Sequence, residues 1–412
     1  MPTFQKLISL MSLRLVYLDK VITFSLISFV WCSFFSISLT QISCGVGGLA
    51  WITRCCLTQS WGEQHFPLKI PFLFFVLACL IAVIGAVEFS ESYKSLKRIL
   101  EILIFFWAVN CIQGEDLRER LSLILIFAAT VSTFTGFYST WGNGMSFFYN
   151  VDYWINHGIS GSDRVEGTMS VYMTYAGLLM LAFLMAFCRL LFVPQKNKWL
   201  YLSIILLGIC LLLTFTRQAW LGVVAGVIFL IGFRQKILLW FVPIILGFIF
   251  LISPFSIQQR INSLFNLNDQ NLQIRLALWQ GGWLVFKDHP IIGCGFKCID
   301  SVHQNYPDPT GVIKRLRGLH NNFVQLAVDT GLFGLVSWIS IWVVYFMTLY
   351  RRVIAMNGDL KYKSNVMASM AAVLGFLVAG FFETNFYDSE VSMLLYFIMA
   401  LPFTVSSRKA IS

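Results

Sequence analysis

Apolar residues run along this chain in long blocks rather than in narrow stripes. A block of about 20 apolar residues spans the roughly 30 Å of hydrocarbon in a bilayer. Twelve blocks can be read, at 21–38, 40–57, 70–88, 99–113, 120–140, 170–192, 199–215, 218–233, 237–253, 331–350, 365–382 and 389–406. The second is the weakest, because Gly45, Gly47, Gly48 and Arg54 interrupt it and almost no loop parts it from the first. The fourth and eighth are short. The pattern predicts an all-α polytopic membrane protein with about 12 transmembrane helices, since helices satisfy their own backbone in lipid.

One long polar interruption, 254–330, breaks the series. It divides the chain into a bundle of spans 1–9 (1–253), a large loop between spans 9 and 10 (254–330), and spans 10–12 with a tail (331–412). The loop is not a disordered linker. In "NLQIRLALWQGGWLVFKDHP", Leu272, Leu276, Trp279, Trp283 and Phe286 recur at helical spacing beside Arg275 and Lys287. Tryptophans and cations on an apolar stripe predict a short helix lying in the membrane interface. "PIIGCGF" and "NYPDPTGV" read as turns. "HNNFVQLAV" then opens a helix, with Asn321 or Asn322 as its cap, that continues through "DTG" into the tenth span. A second loop, 141–168, mixes aromatics with small polar residues. It reads either as a surface for headgroups and sugars or as an aromatic belt.

Composition agrees with the pattern. The chain is 58% hydrophobic and 12% charged, with mean hydropathy +0.74. Soluble domains carry about 25% charged residues, so that class is excluded. Twenty mixed residues precede the first block and no small-residue cleavage site follows it, which predicts an anchor rather than a cleaved signal peptide. With twelve spans and the N-terminus inside, 18 of the 30 lysines and arginines fall on the inner side. Both termini are therefore expected in the cytoplasm and the 254–330 loop outside. The net charge of +10 suits a protein that meets anionic lipids, although the inner loops account for most of it. Most of the ten cysteines lie within spans and act as small hydrophobes. Cys294 and Cys298 lie outside, where a disulfide and two free thiols both remain open readings.

Four features on the outer side carry candidate chemistry. Arg217, in "LTFTRQAWLG", sits between two spans with almost no loop. It reads as an intramembrane functional charge or as an arginine snorkelling from a tight turn. Arg275 on the interfacial helix reads as a headgroup-pairing arginine when taken alone. His320 heads a helix beside two amides and after the basic run "KRLRG", whose positive charges favour a neutral imidazole. A neutral imidazole can act as a general base. His157, His289 and His303 share this side in less constrained settings. In "FFETNFYDSEV", Glu383, Asp388 and Glu390 cluster between the last two spans. They could pair with the arginines or orient the histidine, or form an ordinary polar turn.

Motifs for ATP hydrolysis, zinc and a serine nucleophile are missing from the sequence: there is no GxxxxGK[ST], HExxH or GxSxG. Arginines and a histidine remain, and arginine forks suit phosphate. A transporter would need charges near mid-bilayer and broken helices in both halves, whereas Glu88 and Glu101 lie near span ends.

Three stretches, "TFTRQAWLG", "RLALWQGGWLVFKDHPIIGCGF" and "HNNFVQLAVDTGLFGLVSW", together resemble the hallmarks of the O-antigen ligase family. The wider class comprises ligases and polymerases of lipid-linked glycans. The likeness spans about 200–345, with Asp329 where many relatives carry Glu. It implies transfer of O-antigen from undecaprenyl diphosphate to a sugar of lipid A–core at the periplasmic face of the bacterial inner membrane. O-antigen polymerases and protein O-oligosaccharyltransferases share that donor. The resemblance implies Arg217 and Arg275 as diphosphate ligands, His320 as the catalytic base, and Asn321 and Glu383 in support. It implies no cofactor, metal, nucleotide or nucleic-acid partner.

Overall fold

The computed structural model describes residues 2–141, 164–194, 198–253, 255–263, 266, 268–316, 318–355 and 360–404. Among these, every regular element is a helix. The α-helices, numbered along the chain, begin with α1 (Pro2–Cys32), α2 (Ile37–Thr58), α3 (Lys69–Ile84), α4 (Phe89–Ser95), α5 (Ile102–Cys111) and α6 (Glu115–Trp141). Next come α7 (Tyr172–Phe192), α8 (Trp199–Leu213), α9 (Arg217–Arg234), α10 (Phe241–Ile252), α11 (Phe255–Asn262) and α12 (Gln270–Asp288). The last are α13 (Cys298–Val302), α14 (Val312–Leu316), α15 (Asn322–Ala355), α16 (Leu360–Ala379) and α17 (Ser389–Ala400).

Six helices among the described residues are long and apolar enough to cross a membrane. They include Leu13–Cys32, Glu115–Tyr138, Tyr172–Phe192, Arg217–Arg234, Asn322–Ala355 and Leu360–Ala379. Shorter apolar helices cover Lys69–Ile84, Trp199–Leu213, Lys236–Ile252 and Ser389–Phe403. The first apolar segment thus starts near 13 rather than 21 and ends at Cys32, where the chain turns. Ser36 accepts a bond from the Leu39 amide and opens α2. Asp19 and Arg54 then close the α1–α2 hairpin with an ion pair at 2.6 Å. The helical turns in the 254–330 segment were expected, but that segment is more than an interfacial strap. Leu278, Val285, Cys294, Ile299, Ile313 and Leu319 form a small core of their own. Cys294 and Cys298 are joined as a disulfide.

The stripe read from the sequence for α12 does not mark its buried face. Leu278, Gly281, Gly282 and Val285 face inward, whereas Leu276 and Trp283 are exposed. A Cβ on Gly282 would stand 2.9 Å from a Leu319 methyl, so the glycine lets that side chain lie close against this face. On the exposed side Trp283 stacks on Phe286 and Lys287 lies over Trp283.

Among the six long helices α7 and α16 are the most buried, each with 72% of its apolar window buried, against 28% for α1. Helix α9 packs on both. Apolar surface gives no drive for association inside lipid, so close backbone approach has to supply it. Gly222 and Gly226 of α9 face Gly375 and Ala371 of α16. A Cβ on Gly222 would stand 2.6 Å from the Gly375 carbonyl, and one on Gly226 would stand 3.2 Å from the Ala371 carbonyl.

Helix α15 is broken at Gly331, whose φ of 65° and ψ of −168° suit glycine alone. The break frees backbone groups that would be costly in hydrocarbon. "PIIGCGF" satisfies them: Cys294 and Gly295 donate to the Val328 and Asp329 carbonyls, and Leu332 donates to the Pro290 carbonyl. What reads as a turn is therefore a docking segment.

Forcing a side chain into the α9–α16 contact costs roughly 1–3 kcal/mol by overpacking. Gly222→Leu should lower the thermal unfolding midpoint of the purified protein. Gly232→Leu, where a Cβ would meet only Leu239 at 4.0 Å, should leave it unchanged. Equal midpoints in the two variants would contradict this packing.

Candidate functional site

Arg217 is positioned by the tight α8–α9 turn. Phe215 adopts the left-handed conformation at φ 52°, the usual way to end a helix, and the Thr214 and Phe215 amides close back on α8. Trp220 Nε1 donates to the Leu211 carbonyl at 3.0 Å, which also accepts from the Thr214 hydroxyl at 2.7 Å, and so ties α9 to the end of α8. Arg217 is thus the first residue of α9 and is buried. A cation at this end opposes the helix dipole by about 0.3–1 kcal/mol. Partners from the following segment offset that cost. Arg217 donates from Nη1 to Ser263 Oγ at 2.7 Å and from Nη2 to Asp269 Oδ1 at 3.1 Å. Asp269 also accepts from the Leu272 amide and caps α12. Burial works against its charge, but Arg217 and that amide outweigh it and hold the carboxyl below its ordinary range.

Arg275 lies on α12, with its guanidinium 5.9 Å from the Phe382 ring centroid. Trp279, one turn later, approaches the same ring at 6.4 Å. Burial pulls the Arg275 guanidinium below its ordinary range, and the Glu383 carboxylate opposes that effect. The arginine and Glu383 thus reach one another electrostatically through neighbouring positions.

His320 is held in the left-handed conformation at φ 45°, a conformation that costs of order 1–3 kcal/mol outside glycine. Both backbone groups of the preceding residue are tied. The Leu319 carbonyl accepts from Trp279 Nε1 at 3.0 Å, and its amide donates to Gln325 Oε1 at 3.1 Å. On the other side Asn321 caps α15, accepting from the Phe323 and Val324 amides at 2.8 and 3.1 Å. Asn322 is wholly buried and binds Asn385 at 2.5 Å, which fixes the start of α15 to the loop after α16.

His320 Nδ1 lies 3.0 Å from Glu383 Oε1. Gln218 Nε2 donates to Glu383 Oε2 at 3.4 Å. Arg217 and His320 are therefore connected through Gln218 and Glu383. Burial would raise the Glu383 carboxyl, but the His320 bond and charge, the Thr384 amide and Arg275 together hold it below its ordinary value of 4.5. This carboxylate lies against the His320 ring. Arg315, in the basic run that precedes it, is exposed. The imidazole itself is 28% exposed and can be approached.

The structure brings together Arg217, Arg275, His320, Asn321 and Glu383. Sequence reasoning missed Gln218, Ser263 and Asp269, whose only signal was proximity to the arginines along the chain. Asp388 instead caps α17 and accepts from Thr174 at 2.5 Å. His303 bonds the Ile299 and Asp300 carbonyls. His157 and most of the 141–168 loop lie outside the described residues. Among the described residues no group of three or more His, Cys, Asp or Glu is placed to hold a metal ion.

A carboxyl with a depressed value stabilises the fold above its ordinary value and loses that contribution as pH falls through the depressed one. Glu383→Gln should therefore destabilise the protein by about 1–3 kcal/mol at both about pH 7 and about pH 5. Thermal unfolding at the two pH values tests this. A penalty present at the higher pH and absent at the lower would contradict it.

Residues 202–339 match the family model described as O-antigen ligase. No curated protein matches the chain at a significant level. The matched stretch contains Arg217, Arg275 and His320, whereas Glu383 lies beyond it. Its class is that of lipid-linked glycan ligases and polymerases, which are glycan transferases. With its apolar helices, the chain is a multi-pass membrane protein whose residues 202–339 match the O-antigen ligase family.

Proposed function

We propose that this protein moves O-antigen polysaccharide from undecaprenyl diphosphate to a sugar of lipid A–core at the periplasmic face of the inner membrane. The observation that carries this reading is the convergence of two arginines and a carboxylate-held histidine on one site. Twelve passes complete the proposed topology: α1, α2, α3, α5 to α10, and α15 to α17. Both termini then lie in the cytoplasm. The α8–α9 turn, the 254–330 segment and the α16–α17 loop share the outer side in that arrangement, and their observed contacts support it.

Arg217 and Arg275 bind the donor's diphosphate. Guanidinium forks match phosphate oxygens, and preorganised cations stabilise charge that develops on a leaving group. With Nδ1–H donating to Glu383, His320 presents Nε2 as the proton acceptor. The acceptor hydroxyl attacks the anomeric carbon, its proton passes to Nε2, and the carbon–oxygen bond to the diphosphate breaks. The diphosphate leaves with the bonding pair. The phosphate linkage supplies the driving force, so the reaction needs no nucleotide. Glu383 fixes the tautomer and orientation of the ring, and Asn321 fixes the helix that carries it. The same donor half would serve a polymerase or a protein O-oligosaccharyltransferase. The acceptor separates these readings.

The test is a reconstituted assay with purified protein, undecaprenyl-diphosphate-linked glycan and lipid A–core, in EDTA and without nucleotide. The expected product is glycan on lipid A–core. His320→Ala should lower the rate by about 10²–10⁴-fold. Arg217→Lys should also be strongly impaired, because lysine cannot make the bidentate contact. Wild-type rates in His320→Ala would overturn the base assignment. Longer lipid-linked glycan with no capped core would make the protein a polymerase.

A further inference from the structure

Two more arginines stand at this site, and neither the matched motifs nor the reading above uses them. Arg260 is on α11. Ser263, which accepts from Arg217 at 2.7 Å, donates to the Arg260 carbonyl at 2.8 Å, so one hydroxyl joins the two arginines' segments. Arg260 Nε is buried and has no hydrogen-bond partner among the described residues. Arg164 comes from the other side. The Val165 amide donates to the Leu213 carbonyl at 3.3 Å, which lays residue 164 beside the turn that carries Arg217. The Arg164 guanidinium sits 4.3 Å from the Tyr172 ring centroid.

These charges act on one another. Burial, then Arg217 and Arg164, pull the Arg260 guanidinium down to about 10, and Asp269 only partly opposes them. Crowded buried cations are costly unless paired. Four guanidiniums, on Arg164, Arg217, Arg260 and Arg275, face two carboxylates, on Asp269 and Glu383. Within this set of six groups the positive charges exceed the negative by two. A diphosphate diester carries two negative charges, whereas a monophosphate diester carries one.

We propose that Arg260 and Arg164 complete a four-arginine cradle whose excess charge matches a diphosphate and selects it over a single phosphate. This rests on the donor reading above. It adds that recognition extends beyond Arg217 and Arg275 to α11 and to the segment before α7.

The experiment measures binding of two lipid diesters to the purified full chain, an undecaprenyl-diphosphate-linked sugar and an undecaprenyl-monophosphate-linked sugar, with inorganic pyrophosphate as competitor. Wild-type protein should prefer the diphosphate lipid. Arg260→Gln and Arg164→Gln should each weaken diphosphate binding by about tenfold or more and monophosphate binding far less. Without ligand, Arg260→Gln should unfold at the same or a higher temperature, because like-charge crowding is relieved. Competition by pyrophosphate that Arg260→Gln abolishes would place the contact on the diphosphate itself. Undiminished competition, or wild-type affinity in both glutamine variants while Arg217→Gln loses binding, overturns the cradle and leaves the donor reading intact. A ligand-free midpoint that falls in step with affinity in both Arg260→Gln and Arg260→Lys assigns Arg260 a structural role and also overturns it. Wild-type protein that fails to bind the diphosphate lipid would sink the donor reading, and the cradle with it.

Discussion

A guanidinium buried at the end of a membrane helix has to find a partner, and Arg217 finds Asp269 and Ser263. That pairing draws the start of α12 onto the start of α9. The adjacent Gln218 reaches Glu383, and Glu383 holds His320. Segments far apart in sequence are thereby fixed at one depth. Each link replaces water with a fixed dipole or charge, and loss of one partner would leave the other buried and unpaired.

The surrounding architecture serves this network. Small residues bring α9 and α16 into backbone contact, which sets the depth of Arg217. The break at Gly331 accepts "PIIGCGF", and that docking anchors the far end of α12 to α15. Trp279 and Gln325 then clamp Leu319, so the left-handed turn at His320 is held from both sides. A strained histidine of this kind persists only where its neighbours over-determine it.

Much of this was legible in the sequence. The apolar blocks gave the helical class, and Arg217, Arg275, His320 and Glu383 stood out as charged or titratable groups beside apolar runs. Asn321 was one of the two caps read for α15. Other features were not legible, for physical reasons. The inward face of α12 carries two glycines, and no hydrophobic stripe can reveal a face built from missing side chains. "PIIGCGF" looks like a turn because its partner is a helix break more than 30 residues later. The Gln218–Glu383 bond spans 165 residues, beyond any local pattern. The basic run before His320 suggested a positive setting, yet folding placed a carboxylate against the ring.

The central claim is that a lipid-borne diphosphate and the imidazole meet at this one outer site. A cryo-electron microscopy map of the protein with undecaprenyl diphosphate bound tests it most directly. The account predicts diphosphate density within hydrogen-bonding reach, about 3.5 Å, of the Arg217 and Arg275 guanidiniums, with His320 Nε2 facing the open side. Density for the diphosphate at the opposite membrane face, or away from both arginines, would contradict it.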